Sequence, residues 1–78
     1  EVRLTPHEYS LLAVLVRNQG KVVTHRQLLT EVWGAAFSEE THYLRVFMRQ
    51  LRSKLEPEPP RPRYLLTETG VGYRMVDE

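Results

Sequence analysis

The chain has 78 residues, of which 41% are apolar and 27% charged, with a net charge of +1; this fits one small globular domain and excludes a disordered tail or low-complexity segment. It has no cysteine, so neither a disulfide framework nor a thiolate zinc site supports the core, and no apolar run approaches the roughly 20 residues of a bilayer span. With no leader-like segment, the expectation is a cytoplasmic domain held by apolar packing, with no membrane partner.

Glu1 to Leu4 reads as the end of a strand whose partner lies elsewhere. Thr5-Pro6-His7-Glu8 then combines a capping residue, a proline at the first helical position and a glutamate three residues after the cap, which predicts a helix start. Its predicted end is Gly20. Tyr9, Leu12, Leu15 and Val16 share one face, with Leu11 and Val14 elsewhere, so this helix reads as central and apolar nearly all round. Lys21 to Val23 is a β-branched stub. Thr24-His25-Arg26-Gln27 repeats the capping-box pattern and opens a second helix, with Leu28, Leu29 and Val32 inward, running to Trp33 and a C-terminal Gly34. After a loop from Ala35 to Glu40, Ser38 is the expected cap of a third helix, with Glu39 and Glu40 in its first turn and its end near Leu55. Pro57, Pro59, Pro60 and Pro62 make a stiff connector. Tyr64 to Glu68 and Tyr73 to Val76 are strand-like around Thr69-Gly70-Val71-Gly72, whose glycines permit the positive φ of a tight turn.

The third helix carries the strongest chemical signal. Leu44, Met48, Leu51 and Leu55 form one stripe, and His42, Arg45, Arg49 and Arg52 a second, roughly a quarter to a third of a turn away. Thr41 to Leu55 contains four basic residues and no acidic one, whereas Glu39, Glu40, Glu56 and Glu58 flank it. Like charges at i and i+4 repel, so an unmixed basic face is either merely solvated or has a chemical use, and its context decides. An α-helix fits the DNA major groove, where arginine grips guanine O6 and N7 or a phosphate as a fork. A helix, a glycine-containing link, a basic helix and a hairpin wing together give an α+β winged helix-turn-helix of three helices, a short strand and a C-terminal β-hairpin.

The segments Leu4-Thr5-Pro6-His7-Glu8-Tyr9, Val23-Thr24-His25-Arg26-Gln27-Leu28-Leu29, Val32-Trp33-Gly34, Leu51-Arg52-Ser53-Lys54-Leu55-Glu56 and Thr69-Gly70-Val71-Gly72-Tyr73-Arg74 resemble the OmpR/PhoB-type winged-helix domains of response regulators, in order and over nearly the whole chain. His42-Tyr43-Leu44-Arg45 and Arg61-Pro62-Arg63 narrow the similarity to members that govern potassium-transport genes. The resemblance implies that residues 1–78 are the DNA-binding effector domain of a two-component regulator. It also implies a separate N-terminal receiver domain phosphorylated by a sensor kinase, and a homodimer on activation. Val2 to Leu4 would be the last strand of a small N-terminal sheet. Major-groove contacts are implied for His42, Arg45, Arg49, Gln50 and Arg52, and phosphate contacts for Thr24, Arg26, Trp33 and Tyr73. Thr67 and Thr69 would lie on the wing beside the minor groove. The loop with Ala35, Ala36, Phe37 and Ser38 would meet RNA polymerase; Phe37 has no evident core partner. Where the family commonly has aspartate, histidine and two arginines, this chain has Arg45, Phe47, Gln50 and Thr69, so its base preference does not simply transfer.

Plainer readings stand beside these. Trp33 and Tyr73 suit core anchors with a polar tip, a role that outweighs a phosphate contact and is compatible with it, and Phe47, between the two stripes, suits core packing ahead of contact with a thymine methyl. His7, His25 and His42 lack metal-ligand spacing, no nucleophile stands beside a base, and the glycines of the hairpin turn do not open a helix as a phosphate loop would. No enzyme, metal or cofactor is expected. The rival is a winged helix that binds protein, or RNA through its hairpin.

Overall fold

The computed structural model describes residues 2–77. They form α1 (Pro6–Arg17), β1 (Val22–Thr24), α2 (His25–Trp33), a 3-10 turn (Ala35–Phe37), α3 (Thr41–Leu55), β2 (Leu65–Glu68) and β3 (Gly72–Met75).

The capping box at the start of α1 is complete. The Glu8 N–H donates to Thr5 Oγ1 and the Thr5 N–H to Glu8 Oε1 at 3.0 Å, which satisfies two helix-end donors. The helix stops at Arg17 rather than at Gly20, because Asn18 folds its side-chain amide onto the Val14 carbonyl at 2.8 Å. Its buried face is Glu8, Leu11, Val14 and Leu15. The expected face is therefore rotated: Tyr9 and Val16 are 66% and 48% exposed. Glu8 accounts for the turn, since it is buried one helical turn before Leu11 and binds Lys54 of α3. Val2 to Leu4 form no strand, because no described residue offers them a ladder partner; instead the Arg3 carbonyl accepts a hydrogen bond from Lys54 Nζ. Glu1 lies outside the described residues.

Thr24 caps α2 by accepting the Gln27 N–H at 3.1 Å, but only half of the second capping box forms, since the Gln27 side chain turns to Glu31. Ser38 does not cap α3. It caps the end of the 3-10 turn, its N–H bonded to the Ala35 carbonyl, and α3 starts at Thr41 with Glu40 as a cap that makes no side-chain bond. Glu39 and Glu40 thus precede the helix instead of occupying its first turn.

The strands form one antiparallel sheet in the order β1-β3-β2. The hairpin turn is closed by the Val71 N–H on the Glu68 carbonyl, with Gly70 at φ 77°. Gly72 does a different job from the one its sequence suggests. It pairs with Thr24, and a Cβ there would lie 1.9 Å from the Val23 carbonyl oxygen, so only glycine lets β1 approach β3. The core joins Leu11, Val14 and Leu15 of α1, Val23, Leu28 and Leu29, Leu44, Met48 and Leu51 of α3, and Leu65 and Tyr73 of the hairpin. All three helices and the sheet therefore share one apolar centre, with the stripe of α3 as its floor.

Glu56, just past α3, is buried, and its carboxylate accepts the backbone N–H groups of Arg63, Tyr64 and Leu65. This staples the end of the proline connector to the end of α3 and fixes where β2 begins. In the sequence Glu56 is no more than an acid flanking a basic helix; its three amide donors come to it only when the connector folds back.

Candidate nucleic-acid interface

α3 presents its polar side to solvent because Leu44, Met48 and Leu51 are fully buried beneath it. His42, Arg45, Arg49 and Gln50 are all exposed. At about 100° per residue, the direction opposite the buried stripe falls on Val46 and Ser53, with His42 and Arg49 beside it. Arg45 and Arg52 lean toward the hairpin, and Gln50 leans toward α1. Val46, 38% exposed, is a candidate that sequence reasoning misses, because an apolar side chain on a helix reads as core. Its angular offset from Leu44 and Met48 is the signal that could have found it, and an outward valine in a major groove suits the thymine methyl.

Arg52 differs from its neighbours on the stripe. Its Nε and Nη2 donate to the Leu65 carbonyl at 3.0 and 2.7 Å, Nη2 also donates to Thr67 Oγ1 at 2.7 Å, and the guanidinium lies 5.5 Å from the centre of the Tyr73 ring. Burial pushes its pKa below the ordinary arginine value, opposed by Tyr73 and Glu56; arginine still stays protonated at neutral pH. Unlike the exposed Arg45 and Arg49, Arg52, for which the resemblance implies a major-groove contact, is half-buried and bound to β2. Turning it to a base would strip a carbonyl of its donors, at a cost of about 1–3 kcal/mol.

Arg45, Arg49, Arg52, Thr67 and Tyr73 line one open groove of about 690 Å³ between α3 and the hairpin, with Pro59, Pro60 and Pro62 of the connector along its rim. The helix arginines and the wing thus share one concave, basic face. Thr67 is exposed but already accepts Arg52, and Thr69 is exposed in the turn. Tyr73 is buried in the core, and only the small part of it that lines the groove is open to a ligand. His25 packs edge-on against the Tyr73 ring at 5.6 Å and is half-buried.

At the start of α2, the Thr24 hydroxyl oxygen accepts the Gln27 N–H in the helix cap and keeps its O–H to donate, while Arg26 is 70% exposed and only loosely paired with Glu39 at 3.5 Å. Trp33 is half-buried, stacked on His7 at 5.2 Å and edge-on to Phe47 at 5.1 Å. Phe47 packs against the core, as its place between the stripes suggests. Ala35 and Ala36 are exposed, Phe37 and Ser38 half-buried. Phe37 leans its ring on the exposed Tyr43 of α3 at 5.7 Å and is not among the residues packed on the core.

Lys54, counted among the basic residues of α3, is not available to a ligand. It binds Glu8 and the Arg3 carbonyl on the α1 side of the helix. Burial alone would raise the Glu8 pKa, but Lys54 and the Thr5 donors outweigh it and hold the carboxyl below its usual range.

Residues 1–75 match the family model described as transcriptional regulatory protein, C terminal. The chain is 59% identical over 76 residues to the KDP operon transcriptional regulatory protein KdpE of Escherichia coli (strain K12), covering 97% of this chain and 34% of that protein. It is 58% identical over 74 residues to the transcriptional regulatory protein KdpE of Mycobacterium tuberculosis (strain H37Rv), covering 95% and 33%. The chain therefore spans about a third of the length of these relatives. Among solved structures it resembles the response regulator DrrB of Thermotoga maritima, an OmpR/PhoB homologue, with a TM-score of 0.84, 33% identity and coverage of 97% of this chain and 34% of that one. It also resembles the DNA-binding domain of the response regulator AdeR in complex with an intercistronic region, with a TM-score of 0.80, 25% identity and coverage of 97% and 74%.

Proposed function

The chain belongs to the OmpR/PhoB-type family of transcriptional-regulator C-terminal domains and is a winged-helix DNA-binding domain rather than an enzyme; from that premise we propose that it reads promoter DNA for a response regulator of potassium-transport genes. The observation that carries this reading is the acid-free outer face of α3, set beside the wing across one basic groove. The α3 face presents Arg45, Arg49, Gln50 and His42 to base edges, while Arg26 at the start of α2 reaches a phosphate. Similarity to KdpE supports potassium transport as the regulated process.

The wider partners follow from the same reading. A receiver domain precedes this one in the full regulator, a sensor kinase phosphorylates it, and two activated copies occupy neighbouring half-sites. The turn at Ala35–Phe37, with Ser38, faces RNA polymerase; it lies between the two motif helices and carries no basic residue. No helix among the described residues is long and apolar enough to cross a membrane. The deciding experiment is a nuclease footprint of the domain on DNA upstream of a potassium-transport operon, with shuffled DNA of equal composition as control. Protection confined to the upstream DNA supports the proposal, and equal protection of both refutes sequence-specific reading.

A further inference from the structure

Arg52 belongs to the recognition helix by position and to the wing by its bonds. It donates twice to the backbone carbonyl of Leu65 and once to the Thr67 hydroxyl, and it lies against Tyr73 of β3. Leu65 and Thr67 bracket the centre of β2, and Tyr73 is the residue paired with Thr67 across the hairpin. One guanidinium therefore contacts both strands of the wing. Below it, Glu56 holds the amides of Arg63, Tyr64 and Leu65, so Leu65 is gripped through its N–H by the end of α3 and through its carbonyl by Arg52.

We infer that Arg52 is a positioning residue for DNA binding, a latch that sets the distance and angle between the recognition helix and the wing, and not a reader of bases. A duplex presents its major and minor grooves at fixed spacing, so a protein that touches both gains from holding its two elements at the matching separation before binding. A lysine cannot replace this latch: its ammonium is a point donor, whereas the planar fork grips one carbonyl with two nitrogens and reaches a hydroxyl with the same group. Arg45 and Arg49, exposed on the same groove, remain free for DNA.

The inference rests on the DNA-binding reading, and the test separates the two. The wild-type domain is used to select sequences from a random duplex library; enrichment of no sequence refutes DNA reading itself, whatever the variants do. On the enriched duplex, Arg52→Lys, Arg52→Gln and Thr67→Val are each expected to bind on the order of tenfold more weakly, about what losing one or two hydrogen bonds predicts. Each should re-select the same preferred sequence. In the DNA-free domain, 15N relaxation is expected to show larger motion of residues 68–72 in all three variants. This readout stays at the wild-type level if Arg52 and Thr67 act only by touching DNA. Wild-type affinity for Arg52→Lys, or relaxed preference at a single base pair in the Arg52 variants, would overturn the latch. If Arg52→Gln does not fold, Thr67→Val, which removes one bond and no charge, decides through the same relaxation measurement.

Discussion

Arg49 and Leu51 lie two positions apart on α3, yet one is exposed on the basic groove and the other is fully buried. Arg49→Ala is expected to weaken specific binding by about 1–3 kcal/mol, with a thermal midpoint within a degree or so of wild type, because no core contact is lost. Leu51→Ala should lower stability by about 2–5 kcal/mol through the cavity it opens; denaturant melts and titrations on one duplex check both. These two placements were legible in the sequence, since the helical period of about 3.6 residues is enough to sort the two stripes apart. The role of Lys54 was not. It is a neighbour of Arg52 in a basic run, and only packing of α1 against α3 shows it joined to Glu8. The Glu8 carboxyl is held below its ordinary range in the fold. Its stabilisation is therefore present above the unfolded glutamate value of about 4.3 and is lost as pH falls through the lower folded value. Urea melts from pH 7 down to pH 3 should show this loss, and Glu8→Gln should flatten that part of the profile. Lys54→Met leaves the buried carboxylate without its cation and should destabilise the domain at pH 7 by about 2–4 kcal/mol.

At the scale of elements, the two helix starts with Thr as cap are legible because a cap needs only local geometry. The third start fails for the opposite reason. Ser38 has the right chemistry, but Gly34 at φ 110° turns the chain into a 3-10 segment that ends on Ser38, and α3 begins three residues later. The same turn brings Phe37 onto Tyr43, near the first turn of α3 and apart from the arginines. Its ring touches neither the buried core stripe nor the basic groove. Phe37→Ala should thus change DNA affinity by less than about twofold, as surface changes remote from a contact do. Transcription in vitro by the full regulator should fall sharply if the turn meets polymerase. Equal loss of binding and transcription would show that the turn serves α3 instead. The face of α1 is misjudged by periodicity because Tyr9 and Val16 are apolar yet exposed, while the acidic Glu8 is buried with a partner; hydrophobicity alone cannot foresee a buried ion pair.

For the whole molecule, the hairpin can be read from its glycines, but the joining of β1 to β3 cannot. A three-residue strand carries too little pattern to announce its partner, and its place depends on the bare Cα of Gly72, whose reason is a backbone contact remote in sequence. Charge shows the same contrast between local and global. A net charge of +1 would not draw the domain to a polyanion from afar, since the long-range field follows the sum of charges. The acids are, however, kept off the outer face of α3, and several are occupied: Glu8 by Lys54, Glu31 by Arg17 and Glu68 by Arg74. The cations the proposed reading offers to DNA are Arg45 and Arg49, which line the groove without an ion pair, and Arg26 at the start of α2, held only by an exposed Glu39. Binding should accordingly be strongly salt-dependent despite the near-neutral total, because counterion release counts contacts and not net charge. Arg26, exposed and only 3.5 Å from a flexible partner in Glu39, is the member placed to neutralise a phosphate. Removing it as Arg26→Ala should weaken binding to specific and unrelated duplexes by the same factor and reduce the slope of log K against log salt by about 0.9. Titrations at four or five salt concentrations on both duplexes measure this. An unchanged slope would mean that Arg26 stays with Glu39, and a loss confined to the specific duplex would make Arg26 a reader of sequence.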